Sequence, residues 1–506
     1  MTGTTAGRSV AALQNAGIDE NRNASDQDGA DLGREATAIF LALTVVAAAM
    51  LRLVGGGDQL WYDEIHTLLV SVREPLAVIV THFPSNNDHV LYSLLSHISI
   101  ALGGETPLTV RLPAILFGIL SIPLIFTLGS RVTTRFEALA AAILATVSAQ
   151  HIWFSQNARG YTLLLVAALL GTQLILDGLK TRSKAPWLLF AVVSALGAYT
   201  HLTMVLAVIS QAIPVAIILL ASRRYTLDEL KGPVIGFVGA AVLTVLLYLP
   251  MLGDVAAFFG DSGTKAGYGA SAGWAILELF RNLQLGFNSA AILAVGGAIF
   301  LVGLVSYWRQ SPLIVSLFFL PPALVYLTSV LLDRPTFPRF FFFVAGFLLL
   351  VGVRGVFTII HFALTRLGRM RWEKAVRWAA VVAMTLVLTF DLSRSYLKPK
   401  MDYQGALAYV DATHRPGDVI ALGEQGAGYV YTQYYGRNWL RLMKPTDLAR
   451  LRSGHDVVVL RTFDRFFRSS NPALFDALKT GCTDERTFKG TLGEGDIHVS
   501  RCGRQP

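Results

Sequence analysis

Two acidic residues, Asp63 and Glu64, stand side by side in GGGDQLWYDEIHT (residues 55–67), directly after the first long apolar segment of the chain. A carboxylate near low-dielectric surroundings is costly to keep charged, and its pKa can be moved into the range of a general base. Trp61 and Tyr62 beside the pair favour an interfacial position, and His66 adds a further polar group. The chemistry that fits is proton acceptance, or orientation of a polar substrate, at a membrane face. The competing reading is a pair of solvated loop charges, the commoner fate of an arbitrary acidic pair.

Three further segments carry candidate groups. HFPSNNDHVLYSLL (82–95) supplies Asn86, Asn87, Asp88, His89 and Tyr92, dense in groups that hydrogen-bond sugar hydroxyls, although the adjacent Asp and His have no metal-ligand spacing and a simple turn cluster reads equally well. QNARGY (156–161) puts Arg159 beside Gln156 and Tyr161. A guanidinium there pairs with phosphate oxygens, or else snorkels to lipid headgroups. RPTFPRF (334–340) offers Arg339 as the sharper of its two arginines, and AYTHLTM (198–204) places His201 at a tight hairpin, where a histidine satisfied by its neighbours is the ordinary outcome.

These residues must be positioned by membrane helices. The 506 residues are 53% hydrophobic and only 15% charged, against about 25% charged in a soluble domain. Apolar runs at 36–54, 109–130, 137–154, 160–179, 186–200, 203–222, 233–252, 289–307, 312–332, 339–361 and 376–395 are each near the ~20 residues that cross a bilayer, which predicts about eleven spans. The net charge of +9 gathers in short links, at Arg131 and Arg135, at Lys180, Arg182 and Lys184, at Arg223, Arg224 and Lys231, at Arg309, and from Arg366 to Arg377. Two spans separate each link from the next, so all fall on one side, and the positive-inside rule makes that side cytoplasmic. The charge is a topology signal rather than a nucleic-acid surface. The run 90–102 is short and broken by Ser93, Ser96, His97 and Ser99, which suits a membrane-surface helix in a long first outer loop, 55–108. The acidic pair then faces the extracytoplasmic side.

Residues 1–35 lack apolar periodicity and the order of a cleavable signal peptide, and read as a disordered cytoplasmic tail. The span region is 36–395. From 396 to 506, strand-like DVIALG, DVVVLRT and DIHVSRC alternate with helix-like DYQGALAYVDATH and PALFDALKT, predicting a small extracytoplasmic α/β domain. Cys482 and Cys502 lie within it, either disulfide-bonded or as two thiols. There is no GxxxxGK[ST] cradle, no strand-led GxGxxG, no acidic row through the spans and no internal repeat. That pattern argues against direct ATP or dinucleotide use and gives no support to a transporter built from repeats.

The order of WYDE in the first outer loop, NDHVLY after it, then QNARGY and a late PRF resembles the GT-C superfamily of membrane glycosyltransferases. Within it, the chain is most similar to the bacterial branch related to protein O-mannosyltransferases and lipid A aminoarabinose transferases. The resemblance covers roughly 36–395. It implies a mainly α, polytopic GT-C fold and transfer of a hexosyl or pentosyl group from a polyprenyl phosphate donor. The acceptor, a lipid, glycan or protein, is met on the outer face of a bacterial inner membrane, usually with inversion. In that scheme Asp63 matches the general base, Glu64 the second acidic position that orients acceptor or donor, and Arg339 the cation on the departing phosphate, with Arg159 assisting. NDHVLY stands where relatives often read HPPLYY, which sets His89 and Tyr92 against that segment, and His201 matches a histidine in a Y-T-H context. Trp61, Tyr62, Asp88, Gln156 and Tyr161 are candidate substrate contacts. Membrane lipids are expected partners and nucleic acid is not. No cofactor is assigned, and a divalent metal ion stays open because the first loop has no D-x-D pair. The alternatives from other classes are a flippase or transporter of lipid-linked sugar and a non-catalytic membrane scaffold.

Overall fold

The computed structural model describes residues 33–84, 88–221, 226–260, 273, 290–334, 336–396, 399–423, 425–491 and 494–505. The expected N-terminal tail lies almost wholly outside these residues, as do Asn86 and Asn87. Among the described residues the first helix starts at Arg34.

All eleven apolar runs fall on helices. Among the described residues eight helices are long and apolar enough to cross a membrane: Arg34–Leu53, Pro107–Val132, Tyr161–Thr181, Thr203–Ala221, Asp228–Phe258, Leu293–Gln310, Pro312–Leu331 and Pro338–Arg366. A ninth is a broken span, Arg135–Val147 and Ala149–Ser155, bent by 64°. The other two expected spans are helical but outside that set: Ala185–Thr200, with 16 residues, and Glu373–Ser395. The chain is a multi-pass membrane protein, and eight or nine helices among its described residues meet that length and apolarity. The short run after His89 is a 14-residue apolar helix, Val90–Gly103.

Contacts divide the chain into two compact units. The first holds residues up to Val54, Leu76–Ser96 and Arg111–Leu392. Its spans begin and break where local chemistry dictates. Thr134 caps Arg135–Val147 by accepting the Glu137 N–H at 3.2 Å, and Thr226 with Glu229 forms a capping box at the start of Leu227–Tyr248. Where apolar side chains meet lipid and protein alike, close packing rather than water exclusion holds spans together. Gly303 and Gly355 supply that closeness: a Cβ on either would strike a backbone carbonyl of the facing helix, Val351 or Ile299. Gly178, Gly232 and Gly236 likewise leave room for the buried Trp187 indole.

The second unit comprises Gly55–Pro75, His97–Val110 and Ser393–Pro506. It contains a five-stranded sheet in the order β2-β1-β3-β5-β4, from β1 (Val419–Leu422), β2 (Leu440–Arg441), β3 (Val457–Arg461), β4 (Thr483–Phe488) and β5 (Ile497–Cys502). Strand β1 runs parallel to β2 and β3, while β5 is antiparallel to β3 and β4. The central β3, VVVLR, is buried throughout, as a strand covered on both faces should be. Val459 pairs with Ala421 on one side and Ser500 on the other. Helices 445–452, 464–470 and 472–481 add Leu448, Phe467, Leu474, Phe475 and Leu478 to its core. A disulfide joins Cys482 to Cys502. Only the first-loop segments Gly55–Pro75 and His97–Val110 belong to this unit: Arg73 makes a bidentate pair with Glu105 at 2.9 and 2.7 Å, and the His97 ring donates to the Val72 carbonyl at 2.8 Å.

Candidate functional site

In the second unit the acidic pair opens a short helix, Tyr62–Thr67. Its two carboxylates have different surroundings. Glu64 is fully buried; its Oε2 accepts the Trp61 backbone N–H at 3.2 Å and its Oε1 lies 3.6 Å from Lys400 Nζ. These contacts fix Glu64 as a strut that holds the turn. Asp63, one residue earlier, is 8% exposed. Tyr62 and His66, one turn apart, form a half-buried aromatic cluster with Tyr429 and Phe463, with ring centroids 5.4 to 6.3 Å apart. Phe463 holds a left-handed backbone with φ at 51°, which bulky residues rarely adopt. Trp61 is buried.

In the first unit, the loop carrying Arg159 is moored to the end of the first span. Gln156 Nε2 donates to the carbonyls of Arg52 (3.1 Å), Leu51 (3.4 Å) and Val54. Arg52 is fully buried and threads into the broken span, donating to the carbonyls of Ala145 (3.2 Å), Thr146 (3.4 Å) and Ala48 (3.0 Å) and to Ser155 Oγ (3.2 Å). These carbonyls include those left over at the end of Arg135–Val147, where a cation is doubly favoured. Arg52 also donates to His151 Nδ1 at 2.9 Å, which leaves the ring proton on Nε2 to meet Ser121 Oγ at 3.0 Å.

Beyond that loop four of the residues singled out from sequence meet. The His89 ring centroid lies 5.0 Å from those of Tyr161 and His201, and Tyr161 and His201 are 6.0 Å apart. Arg159, fully buried, places its guanidinium carbon 5.9 Å from the Tyr161 ring. Arg339, from the 3-10 turn Pro338–Val344, stands over Phe337 at 4.3 Å, and Phe340 of the same turn packs on His201 at 5.3 Å. His201 Nδ1 accepts the Thr203 N–H at 3.1 Å, so its proton sits on Nε2. Gly160 packs so close to His89 and Thr200 that any side chain there would collide.

The electrostatics follow from burial beside fixed cations. Burial, then the charges of Arg159 and Arg339, push His201 down to about 3. Burial and then Arg159 hold His89 well below the usual histidine range, with His201 and Arg339 adding to the effect. Both rings lie in links between spans and are neutral at neutral pH. Apart from a weak approach to the Thr200 backbone, neither His89 nitrogen has a hydrogen-bond partner among the described residues, and neither has the buried Tyr161 hydroxyl. The cluster thus combines two permanent cations with uncharged ring and hydroxyl groups, suited to an anionic oxygen. A histidine neutral in the fold but protonated when unfolded contributes stability in full above about pH 6.5, and loses it as pH falls toward the folded value at about 1.4 kcal/mol per pH unit per ring. Thermal unfolding of the full chain in detergent should therefore fall steeply below pH 6.5, and the slope should shrink in His201→Gln. An unchanged slope would place the proton uptake elsewhere.

Other candidates fall outside this cluster. Tyr92 is buried, and Asp88 accepts the Ser93 hydroxyl at 3.4 Å at the start of Val90–Gly103. Among the described residues no three His, Cys, Asp or Glu side chains converge as metal ligands. Sequence reasoning missed Lys400 and Arg52. Lys400 lies far from Glu64 in the chain, and Arg52, at the end of an apolar run, looks like any other basic flank.

Residues 89–252 match the family model of dolichyl-phosphate-mannose-protein mannosyltransferase, a stretch of less than half the chain. No match was found among the curated proteins. Among solved structures, ArnT from Cupriavidus metallidurans in the apo state shares 11% identity over 92% of this chain and 98% of its own, with a TM-score of 0.53. The same protein bound to undecaprenyl phosphate gives 12%, 93%, 98% and 0.52. An Archaeoglobus fulgidus oligosaccharyltransferase in complex with Zn and sulfate gives 12% over 90% of this chain and 72% of its own, at 0.55. The fold is therefore that of the GT-C proteins, related to the mannosyltransferases and aminoarabinose transferases, which bears out the resemblance read from WYDE, NDHVLY, QNARGY and PRF.

Proposed function

We propose that this protein transfers a hexosyl or pentosyl group from a polyprenyl phosphate donor to an acceptor hydroxyl at the extracytoplasmic face of a bacterial plasma membrane, with inversion. The observation that carries the reading is the buried cluster where Arg159, Arg339, His89, His201 and Tyr161 meet. In the reaction the acceptor oxygen bonds to the anomeric carbon from the face opposite the phosphate, and the carbon–phosphate oxygen bond breaks. The electron pair leaves with the polyprenyl phosphate, and the hydroxyl proton goes to Asp63. Charge develops on the departing phosphate, and preorganised guanidinium groups in a water-poor site stabilise it more than water does. Glu64, held by Lys400 and the Trp61 N–H, keeps the turn bearing Asp63 in place. The lipid tail holds the donor beside the cluster, replacing a three-dimensional search by local positioning. The disulfide in the second unit suits an oxidising compartment and supports the outer placement of that unit.

The test uses the full chain in lipid nanodiscs, supplied with polyprenyl-phosphate-linked arabinose, mannose or glucose and an extract of cell-envelope lipids and glycans. Acceptor-dependent release of polyprenyl phosphate is expected for at least one donor. Absence of release with all of them, together with unchanged envelope glycans in cells lacking the protein, would overturn the reading.

A further inference from the structure

The second unit contains a cavity of about 490 Å³ that none of the roles above uses, lined by Gly57, Asp58, Gln59, Pro107, Tyr396, Pro399, Asp402 and Gln404. Its size falls in the range of about 300–1,000 Å³ usual for small-molecule sites. Its floor is built rather than accidental. Gln59 uses both ends of its amide, Nε2 donating to Asp402 Oδ1 at 2.9 Å and Oε1 accepting the Gln404 backbone N–H at 2.9 Å. Asp402 Oδ1 also accepts the Gly405 N–H at 2.9 Å, capping the helix Tyr403–Thr413. On the opposite side the chain turns at Gly55, whose φ of +75° admits few other residues. A Cβ at Gly55 would lie 3.1 Å from the Asp58 carboxylate and 3.5 Å from the Tyr396 ring, so the missing side chain lets both settle against the turn.

The cavity adjoins the acidic turn through both segments that form it. Gln59 precedes Trp61–Glu64 by two residues, and Lys400, which pairs with Glu64, lies between lining residues Pro399 and Asp402. Its chemistry differs from that of the cationic cluster. Among the described residues two carboxylates, two amides, a tyrosine and two prolines line it, and the carboxylates of Asp58 and Asp402 disfavour a phosphate. With Gln59 and Asp402 Oδ1 engaged in the floor, the exposed Asp58 carboxylate and Gln404 amide are the groups that suit adjacent hydroxyls, while the tyrosine and prolines suit the C–H face of a sugar ring.

We propose that this cavity binds the acceptor, and that the acceptor portion it takes is a carbohydrate, either neutral or amine-bearing. The proposal rests on the glycosyl-transfer reading above and names the acceptor class for it. A phosphorylated headgroup is disfavoured by the Asp58 and Asp402 carboxylates.

Saturation-transfer NMR on the full chain in nanodiscs tests the binding directly, with the methyl glycosides of arabinose, mannose, galactose and glucosamine as probes and inorganic phosphate and a Ser/Thr-rich peptide as comparators. At least one glycoside is expected to receive saturation, and phosphate and peptide none. Because Asp58 and Gln404 are exposed, Asp58→Asn and Gln404→Ala should fold, which thermal unfolding checks. Each should weaken glycoside binding about tenfold, the equivalent of one lost hydrogen bond to a ligand. Asp63→Asn should leave the binding intact. In the transfer assay Gln404→Ala should raise the acceptor KM about tenfold while kcat stays near wild type. Glycoside binding that persists unchanged in both cavity variants, or no glycoside binding at all, overturns the proposal. If binding is lost in the cavity variants while no sugar transfer is found for the wild type, the cavity stands and the transfer reading falls.

Discussion

Asp63→Asn is expected to lower sugar transfer about 10³-fold, within the range of about 10² to 10⁴ that a positioned general base contributes. The substitution keeps the shape of the side chain and removes its ability to take a proton. Asp63 retains a little exposure at the start of its helix, while its neighbour is sealed by Lys400 and the Trp61 N–H. Membrane abundance and thermal unfolding should be unchanged, and donor binding should persist, so the loss should appear in kcat. Glu64→Gln should behave differently: it leaves Lys400 without its carboxylate and loosens the turn, so reduced thermal stability should accompany any loss of rate. Initial rates of polyprenyl phosphate release decide the matter. Wild-type transfer by Asp63→Asn would remove Asp63 from the role of base and, with it, the enzyme reading of the acidic loop.

Arg159→Ala should cost about 10² to 10³ in kcat, the usual price of removing one group that stabilises developing charge. Arg159→Lys should recover little, because a lysine is a point charge and does not reproduce the planar fork of donors. A second readout separates this from simple damage. Arg159 is, after burial, the leading cause of the depressed proton affinity of both histidines. Removing its charge should move both titrations upward, measured by NMR on labelled histidine in the full chain. Turnover unchanged and both histidines titrating as before would show that Arg159 faces neither the phosphate nor the rings.

Much of this was legible in the residues, for reasons that differ by element. Span positions follow from unbroken apolar runs, because lipid leaves backbone groups no partner except their own helix. The strands DVIALG, DVVVLRT and DIHVSRC could be read because buried strands are short, β-branched and bounded by turns. TDERTF could not, since four of its six residues are exposed and its charges hide the alternation. The meeting of His89, Tyr161, Arg159, His201 and Arg339 spans some 250 positions of sequence, and only their common family context drew them together. Gln156 illustrates the limit. As a polar residue beside an arginine it reads as a substrate contact, yet its amide is committed to three carbonyls at the end of another helix. Spacing reveals what a residue can do, but not which backbone group nearby already needs it.

That commitment changes the standing of the first membrane span. Arg34–Leu53 looks from its hydropathy like an anchor that any apolar helix could replace. Its last turn, however, supplies the carbonyls that hold Gln156 and the guanidinium that fills the break in the neighbouring span. A generic span grafted in its place would keep the protein in the membrane and leave the Arg159 loop unmoored. The helix that tethers the chain is thus also a structural part of the Arg159 loop, and its sequence is constrained over its final turn by a residue more than a hundred positions later.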